Sequence, residues 1–127
     1  MMLVDTSVWI DHLHKSEPAL ELALRDDQVA VHPFVIGELC LGSIADRDAL
    51  LTLLSQLRPA PVLTQQEFLS FVGEARLWGR GLSLVDVHLL GSVRLMPGWQ
   101  LWTNDKRLQS GAQVVSVKLF GGSHDSD

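Results

Sequence analysis

The sequence predicts an α/β domain in which a parallel β-sheet is flanked by helices. Short apolar or alternating segments, typical of strands, are separated by longer segments with helical periodicity, and this alternation favours parallel strands joined by helices. The length of 127 residues and the 46% hydrophobic content suffice for one domain with its own core. We expect a single domain over residues 1–118 and a flexible C-terminal tail over residues 119–127.

The first half of the chain contains two predicted strands and three predicted helices. The apolar segment at residues 2–5 and the alternating segment at residues 28–32 have the patterns of strands. Helices are predicted over residues 6–14, 17–26 and 34–44. Pro33 fits the first turn of the third helix, because a backbone N–H at that position would have no partner within the helix.

The second half of the chain continues this alternation. Helices are predicted over residues 46–57, 65–79, 83–96 and 104–110. Strands are predicted at residues 99–103 and 113–117, and residues 59–63 form a connector or a brief strand. These elements complete the expected parallel sheet with helices on its faces.

Composition limits the possible classes of protein. No apolar segment approaches the roughly 20 residues that a membrane-spanning helix needs, so we expect a cytoplasmic protein. The single cysteine, Cys40, leaves no disulfide framework and no cysteine metal site. The net charge of −5 argues against a nucleic-acid partner, yet acids gathered around a metal would leave basic residues free to contact phosphates. Net charge therefore leaves a nucleic-acid partner open.

Two acidic residues follow predicted strands directly or closely. Asp5 ends the first strand, and Asp105 follows the strand at residues 99–103 after one further residue. In parallel α/β sheets, ligands collect at the carboxyl ends of the strands. We therefore expect both side chains at one edge of the sheet.

Two further acids lie among apolar residues of predicted helices. Glu38 is the only charged residue between positions 31 and 45, and Asp86 has Leu82, Leu89 and Leu90 at helical spacing. We expect both to point toward the buried side of their helices. Glu38 has no Lys or Arg within one turn that could neutralise it.

Three of the four acids also have a simpler structural interpretation. Asp5 can cap a helix, Asp86 forms a capping-box pattern with Ser83, and Asp105 can complement a helix dipole. Placed together, however, carboxylates about 4 Å apart repel by roughly 4 kcal/mol per pair at an effective dielectric near 20. A cluster of that kind needs a cation, and oxygen ligands favour Mg²⁺ or Mn²⁺. This chemistry suits metal-dependent hydrolysis of phosphodiesters.

Four motifs in order resemble a known family. The segments VDTSVWID at residues 4–11, IGEL at 36–39, LSLVDVHLL at 82–90 and WTNDKRL at 102–108 together resemble a PIN domain of the VapC toxin branch of type II toxin–antitoxin systems. The resemblance covers almost the whole chain. This chain departs from the family pattern at Val87 and His88, where the family commonly has a small residue after the third acid. The resemblance therefore does not define the shape of the pocket wall at this point.

The resemblance implies both a fold and a function. It implies a four- to five-stranded parallel sheet in an α/β/α sandwich and an endoribonuclease that depends on Mg²⁺ or Mn²⁺. It also implies inhibition by a small VapB-like antitoxin that covers the site. By position, Asp5, Glu38, Asp86 and Asp105 match the acidic quartet of the family, with Asp5 and Asp86 as the foremost metal ligands.

Other residues are candidates for supporting roles. Thr6, Ser7, Thr103 and Asn104 would hold the carboxylates in place, and Arg76, Arg80, Lys106 and Arg107 would contact RNA. His32 and His88 are candidates for proton transfer, although buried histidines more often serve packing. Trp78 could stack on a base, although we expect the four tryptophans mainly in the core or in interfaces. The leucine content favours a homodimer.

Two other functions fit parts of the pattern. A phosphatase of the haloacid-dehalogenase type also has an aspartate after its first strand, but those enzymes carry a second aspartate two residues later, where this chain has Ser7. A PIN-like module could instead bind RNA or protein without cleavage. Retention of all four acids argues against that alternative.

Overall fold

The computed structural model describes residues 1–121 as a four-stranded sheet with seven helices. The strands are β1 (Met2–Val4), β2 (Val29–Val31), β3 (Arg58–Pro59) and β4 (Gln100–Trp102). The helices are α1 (Thr6–His14), α2 (Pro18–Arg25), α3 (Pro33–Leu41), α4 (Arg47–Gln56), α5 (Gln65–Ala75), α6 (Leu84–Arg94) and α7 (Lys106–Val114). The α/β class and the parallel sheet predicted from the sequence are confirmed.

The sheet has the order β3-β2-β1-β4, and all neighbouring strands are parallel. Because parallel connections are almost always right-handed, the strand order places α1 to α4 on one face and α5 and α6, which carry the chain to the opposite edge, on the other. The contacts of α3 with α1 and α4, and of α5 with α6, agree with this placement. Val4 at the end of β1 pairs with Trp102 at the end of β4. The residues that follow these two central strands, Asp5 and Thr103, therefore meet at the carboxyl edge of the sheet.

Helix α6 is the most deeply buried helix. Every residue from Val87 to Val93 is buried, and α6 packs against the segment that follows β3. Gly91 permits this approach, since a Cβ there would lie 2.3 Å from Leu63 Cδ1. The Ser92 hydroxyl also donates a hydrogen bond of 2.5 Å to the carbonyl of Pro61. These contacts fix the helix whose first turn carries Asp86.

The predicted last strand, at residues 113–117, is wrong. Helix α7 continues to Val114, because Leu108, Gly111 and Ala112 recur at helical spacing and are all buried. The chain returns to the sheet only at Leu119, which forms an isolated parallel bridge with Leu101. Of the two interpretations of residues 59–63, the connector is the better one, since β3 comprises only Arg58 and Pro59 and no strand continues over residues 60–63.

Most other predicted helix boundaries move by one to three residues, and two differences concern the end of α5 and the limit of the packed domain. The helix predicted over residues 65–79 ends at Ala75, because Arg76 takes a left-handed conformation with φ of 54°. The predicted tail begins at residue 119, yet Leu119 is buried and the Phe120 ring lies 4.4 Å from the ring of Trp102. These two residues belong to the packed domain, while residues 122–127 of the predicted tail lie outside the described residues. Within residues 1–121, every helix is too short or too polar to cross a membrane.

Candidate active site

Asp5 is a buried carboxylate at the carboxyl edge of the sheet, with 6% of its surface exposed. Its Oδ2 atom accepts hydrogen bonds from Thr103 Oγ1 at 2.7 Å and from Ser7 Oγ at 2.8 Å. Although Asp5 occupies the N-cap position of α1, its side chain makes no capping bond. The capping interpretation is therefore wrong for Asp5, and both hydrogen bonds fall on one oxygen while Oδ1 receives none from residues 1–121.

Backbone N–H groups orient the two hydroxyls that bind Asp5. The Asn104 N–H donates to Ser7 Oγ at 3.1 Å, and the Asp105 N–H donates to Thr103 Oγ1 at 3.0 Å. Each hydroxyl oxygen already accepts a bond, so its own proton is directed toward Asp5. Of the four predicted supporting residues, Ser7, Thr103 and Asn104 lie in this network.

Glu38 joins α3 to the start of α1. Thr6, the fourth predicted supporting residue, donates from its hydroxyl to Glu38 Oε1 at 2.5 Å. The expectation that Glu38 points toward the core is wrong, because Glu38 is exposed and its helical neighbour Leu41 is 90% exposed. Val35 and Leu39 form the buried face of α3 instead. Some of the apolar residues near Glu38 in the sequence therefore lie on an exposed surface of α3 and not in the core.

Asp86 is half-buried and has two structural roles. It forms the capping box of α6, in which the Ser83 N–H donates to Asp86 Oδ2 at 3.0 Å and the Asp86 N–H donates to Ser83 Oγ at 3.0 Å. Burial raises the pKa of Asp86, and the negative charges of Asp5 and Asp105 raise it further against the opposing effect of the Ser83 hydrogen bonds. Asp86 is therefore both the capping-box partner of Ser83 and a carboxylate on which the charges of Asp5 and Asp105 act.

Asp105 is an exposed N-cap residue of α7. Its Oδ1 accepts from the backbone N–H groups of Arg107 at 2.8 Å and Leu108 at 3.3 Å. The helix-terminus interpretation thus holds for Asp105, and its charge nonetheless acts on Asp86. Asp5 is the one buried member of the quartet, whereas Asp86 is half-buried and Glu38 and Asp105 are exposed.

Two residues of this network were not among the sequence candidates. Asp11 Oδ2 accepts from the side-chain amide of Asn104 at 2.7 Å, and the Gln109 amide donates to the Thr103 carbonyl at 2.9 Å. Asp11 lies four residues after Ser7, on the same face of α1, and this spacing is the signal that could have identified it. The pair fixes the β4–α7 loop that carries Thr103 and Asn104.

The residues at this edge fit a hard divalent cation in their chemistry. They are carboxylates and hydroxyls, without thiol or imidazole groups, and the charges of Asp5 and Asp105 both act on Asp86. Within residues 1–121, no three acidic, histidine or cysteine side chains lie in an arrangement that could by itself hold a metal ion. Mg²⁺ usually keeps several waters and binds through one or two carboxylates, so it does not require such a cage.

Three of the four predicted RNA-contacting residues line one cavity beside this site. Arg80, Lys106 and Arg107 surround an open cavity of about 450 Å³. Arg76 does not line it, but its backbone carbonyl accepts a hydrogen bond from Arg80 Nε at 2.9 Å. Lys106 and Arg107 directly follow Asp105, so the basic cavity adjoins the carboxylates.

His32 and His88 belong to an aromatic cluster in the interior. His32 is fully buried and caps α3, since its Nδ1 accepts from the Phe34 N–H at 3.0 Å. The rings of Phe34 and Phe68 each lie 4.7 Å from the ring of His88. Burial, with a smaller effect of His88, lowers the pKa of His32 to about 4, and burial also lowers the pKa of His88. At neutral pH both imidazoles are uncharged packing groups.

The low pKa of His32 predicts a specific loss of stability in acid. Neutral His32 contributes fully to the free energy of unfolding above the unfolded-state pKa of 6.5. This contribution is lost as the pH falls through about 4, where the folded protein also binds the proton. The total loss is at most about 3 kcal/mol. His32→Asn keeps an oxygen that can cap α3 but does not titrate. The free energy of unfolding of this variant, measured by urea melts, should therefore fall less steeply than that of wild type between pH 6.5 and about pH 4. Equal slopes for wild type and variant would contradict the assignment.

Comparison with known proteins agrees with this arrangement. The family described as "PIN domain" matches residues 2–113. Curated proteins named ribonuclease VapC32, from Mycobacterium tuberculosis strains CDC 1551 / Oshkosh and ATCC 25618 / H37Rv, are each 53% identical over 119 residues. The match covers 94% of this chain and 96% of each relative. The chain therefore belongs to the PIN-domain family, within its VapC branch.

Proposed function

We propose that this protein is the toxin of a type II toxin–antitoxin system and that it cleaves RNA with Mg²⁺ or Mn²⁺ bound by its acidic quartet. One observation carries the proposal: the charges of a buried, oriented Asp5 and of Asp105 both act on Asp86 at the carboxyl edge of the sheet. The relatives at 53% identity, which are named ribonucleases, support the same activity.

The chain prepares the site for a cation by orienting charge. Ser7 and Thr103 hold Asp5 through one oxygen, which leaves the other available to a ligand. Asp86 and Asp105 would complete the binding group together with Glu38, which Thr6 holds in place. When bound, the cation would supply Lewis acidity and an activated water for phosphodiester hydrolysis.

RNA would approach along the basic cavity. Arg80, Lys106 and Arg107 can neutralise backbone phosphates, and Arg76 helps to hold Arg80. This arrangement reconciles a net charge of −5 with a nucleic-acid substrate, because the acids are concentrated at the site and the cations beside it. We place this activity in the cytoplasm, where cellular RNA is available.

An antitoxin would bind beside Glu38. An apolar cavity of about 380 Å³ lies between α1 and the segment after α3, lined by Ile10, Leu13, Leu39 and Ile44 together with Glu38. Ile10 and Leu13 are each about 40% exposed, at 42% and 41%. A VapB-like segment with an apolar face and an Arg or Lys would fit this combination. We further propose a homodimer, for which exposed Leu69 and Leu84 are candidate contacts.

The antitoxin proposal predicts that antitoxin binding can be weakened by mutation without loss of RNA cleavage. A short reading frame beside this gene should encode a protein that co-purifies with it and relieves growth arrest. Leu13→Asp should weaken this complex at least about tenfold because it places a charge on the apolar groove, while RNA cleavage persists. Leu22→Asp, at an exposed leucine of α2, is the matched control and should bind normally. A complex that tolerates Leu13→Asp would exclude this groove.

Incubation of the purified protein with mixed RNA and with a phosphate monoester separates the candidate functions. We expect RNA cleavage in Mn²⁺ and none in EDTA. Release of phosphate from the monoester alone would favour the phosphatase alternative, and RNA binding without cleavage would favour the non-catalytic module. Expression of the protein alone should arrest growth, and normal growth at verified expression would count against a toxin.

A further inference from the structure

Asp11 is an exposed acid of α1 that the proposed site does not use. Its Oδ2 accepts a hydrogen bond of 2.7 Å from the side-chain amide of Asn104, which lies 93 positions further along the chain. An ionised carboxylate can only accept hydrogen bonds, so the amide nitrogen of Asn104 must face Asp11. The bond therefore ties the β4–α7 loop to α1.

Asn104 contacts α1 at two points that lie one helical turn apart. Its side chain binds Asp11, and its backbone N–H donates to Ser7 Oγ at 3.1 Å. Ser7 and Asp11 are four residues apart and therefore lie on the same face of the helix. Without the bond to Asp11, the Ser7 bond is the one hydrogen bond that would still join Asn104 to α1 within residues 1–121.

The neighbouring residue of the loop is held in a different way. The Gln109 amide donates to the Thr103 carbonyl at 2.9 Å, and the Asp105 N–H donates to Thr103 Oγ1 at 3.0 Å. Thr103 is thus held from its own loop and from α7, whereas Asn104 is held from α1. The bond to Asp11 involves a charged acceptor, and bonds of this kind are stronger than those between neutral groups.

The bond from the Asn104 N–H determines where the Ser7 hydroxyl points. Ser7 Oγ lies 2.8 Å from Asp5 Oδ2 and 3.4 Å from Thr103 Oγ1, and either hydroxyl could donate across the longer distance. While Ser7 Oγ accepts from the Asn104 N–H, its proton is directed to Asp5. The Thr103 proton is directed to the same carboxylate oxygen at 2.7 Å.

Loss of the Asn104 bond would change this pattern. Ser7 Oγ could then accept from Thr103 instead, which would turn the Thr103 proton away from Asp5. Asp5 would keep one hydrogen bond in place of two, and its side chain would be less firmly oriented. The orientation of Asp5 thus depends on the attachment of Asn104 to α1.

We propose that Asp11 is a positioning residue of the metal site, which acts through Asn104 to keep the Ser7 and Thr103 protons on one oxygen of Asp5. The other oxygen, Oδ1, then stays available to the cation. This inference rests on the proposed function and adds to it a residue that touches neither the cation nor the RNA. Because Asp11 acts as a hydrogen-bond acceptor, an uncharged side chain with an oxygen at the same place should replace it.

Amide hydrogen exchange, followed by NMR in EDTA, tests the positioning without metal or RNA. The Asn104 backbone N–H of Asp11→Ala should exchange at least about tenfold faster than that of wild type, because the loop loses a hydrogen bond to a charged group. Asp11→Asn should restore most of the protection, since its oxygen can accept from the Asn104 amide. Glu74→Ala, at an exposed acid of α5, is the matched control and should exchange like wild type.

Calorimetry measures the consequence for the cation. Asp11→Ala should weaken Mn²⁺ binding about tenfold, the lower end of the range for residues that support a metal ligand, and Asp11→Asn should bind within about threefold of wild type. In the Ser7→Ala background, Asp11→Ala should have little further effect, because both changes act through the same hydroxyl. Glu74→Ala should bind Mn²⁺ like wild type.

The outcomes distinguish the positioning role from other roles and from the proposed function. Equal loss of Mn²⁺ affinity in Asp11→Asn and Asp11→Ala would assign Asp11 as a further metal ligand and overturn the positioning role. Faster exchange of Asn104 with unchanged Mn²⁺ affinity would restrict the bond to a structural role and overturn it too. If neither quantity changes in Asp11→Ala, the positioning role fails and the nuclease stands. A wild-type protein that binds no Mn²⁺ and cleaves no RNA would overturn both.

Discussion

Asp5→Asn is expected to reduce RNA cleavage by about a thousandfold or more while the protein remains folded. The variant keeps an oxygen that can accept from Ser7 and Thr103, so the hydrogen bonds at 2.8 and 2.7 Å can persist. It removes only the charge that would hold the cation, and metal assistance is worth several kcal/mol of transition-state stabilisation. Single-turnover cleavage of a mapped RNA substrate, with the fold checked by circular dichroism, measures the effect.

A graded series strengthens this prediction. Thr103→Val keeps the charge of Asp5 but removes one of its two hydrogen bonds, and we expect a loss of about 10- to 100-fold. Asp26→Asn, at an exposed aspartate after α2, is the matched control and should cleave like wild type. Cleavage by Asp5→Asn within about threefold of the control would refute a catalytic role for this carboxylate.

Asp86→Asn is expected to be more stable than wild type without metal and less stable than wild type with metal. In EDTA the variant should be more stable than wild type at pH 7 by about 1 kcal/mol after solvent screening, because it removes the charge on which Asp5 and Asp105 both act. Excess Mn²⁺ should make wild type the more stable protein, since a cation at a hundred times its dissociation constant stabilises it by about 2.7 kcal/mol. Thermal melts in both buffers measure the two rankings.

The pH dependence of the free energy of unfolding, compared between wild type and Asp86→Asn, gives an independent check. The pKa of Asp86 is raised above its unfolded value of 3.8, first by burial and then by Asp5 and Asp105. Native Asp86 therefore keeps its proton to a higher pH than the unfolded chain, and its contribution to stability falls as the pH rises from 3.8 through the folded pKa. Asp86→Asn should lack this fall in EDTA. If Asp86 serves only the capping box, the variant should nearly match wild type in both buffers, because the side-chain oxygen of asparagine can also accept the bond from the Ser83 N–H.

The early part of the fold could be predicted from the sequence because its local patterns agree with its packing. The segments at residues 2–5 and 28–32 become β1 and β2, with boundaries within a residue or two. The apolar run at residues 113–117 is ambiguous, since alternating valines fit a strand while Leu108 and Ala112 extend a helix. Burial of the helical face decides between them, and that contact becomes visible only in three dimensions.

The acidic site could be predicted in position but not in local geometry. Chain order places Asp5 and Asp105 at the same edge of the sheet, whereas exposure of Glu38 depends on how α3 packs against α1. The sequence also treats capping and metal binding as alternatives, although Asp86 caps α6 and lies near two other carboxylates. Exposure of Trp78 follows from a turn whose path no local pattern specifies.

Calorimetric titration of Mn²⁺ tests most directly whether these carboxylates form a metal site. Wild type should bind Mn²⁺ with a saturable heat signal. Asp5→Asn and Asp86→Asn should each weaken binding by at least about a hundredfold, because loss of a direct ligand should cost at least as much as the largest loss seen for residues that only support a ligand. Asp26→Asn should bind like wild type. Absence of binding to wild type, or equal affinity in the Asp5 and Asp86 variants, would contradict the metal site.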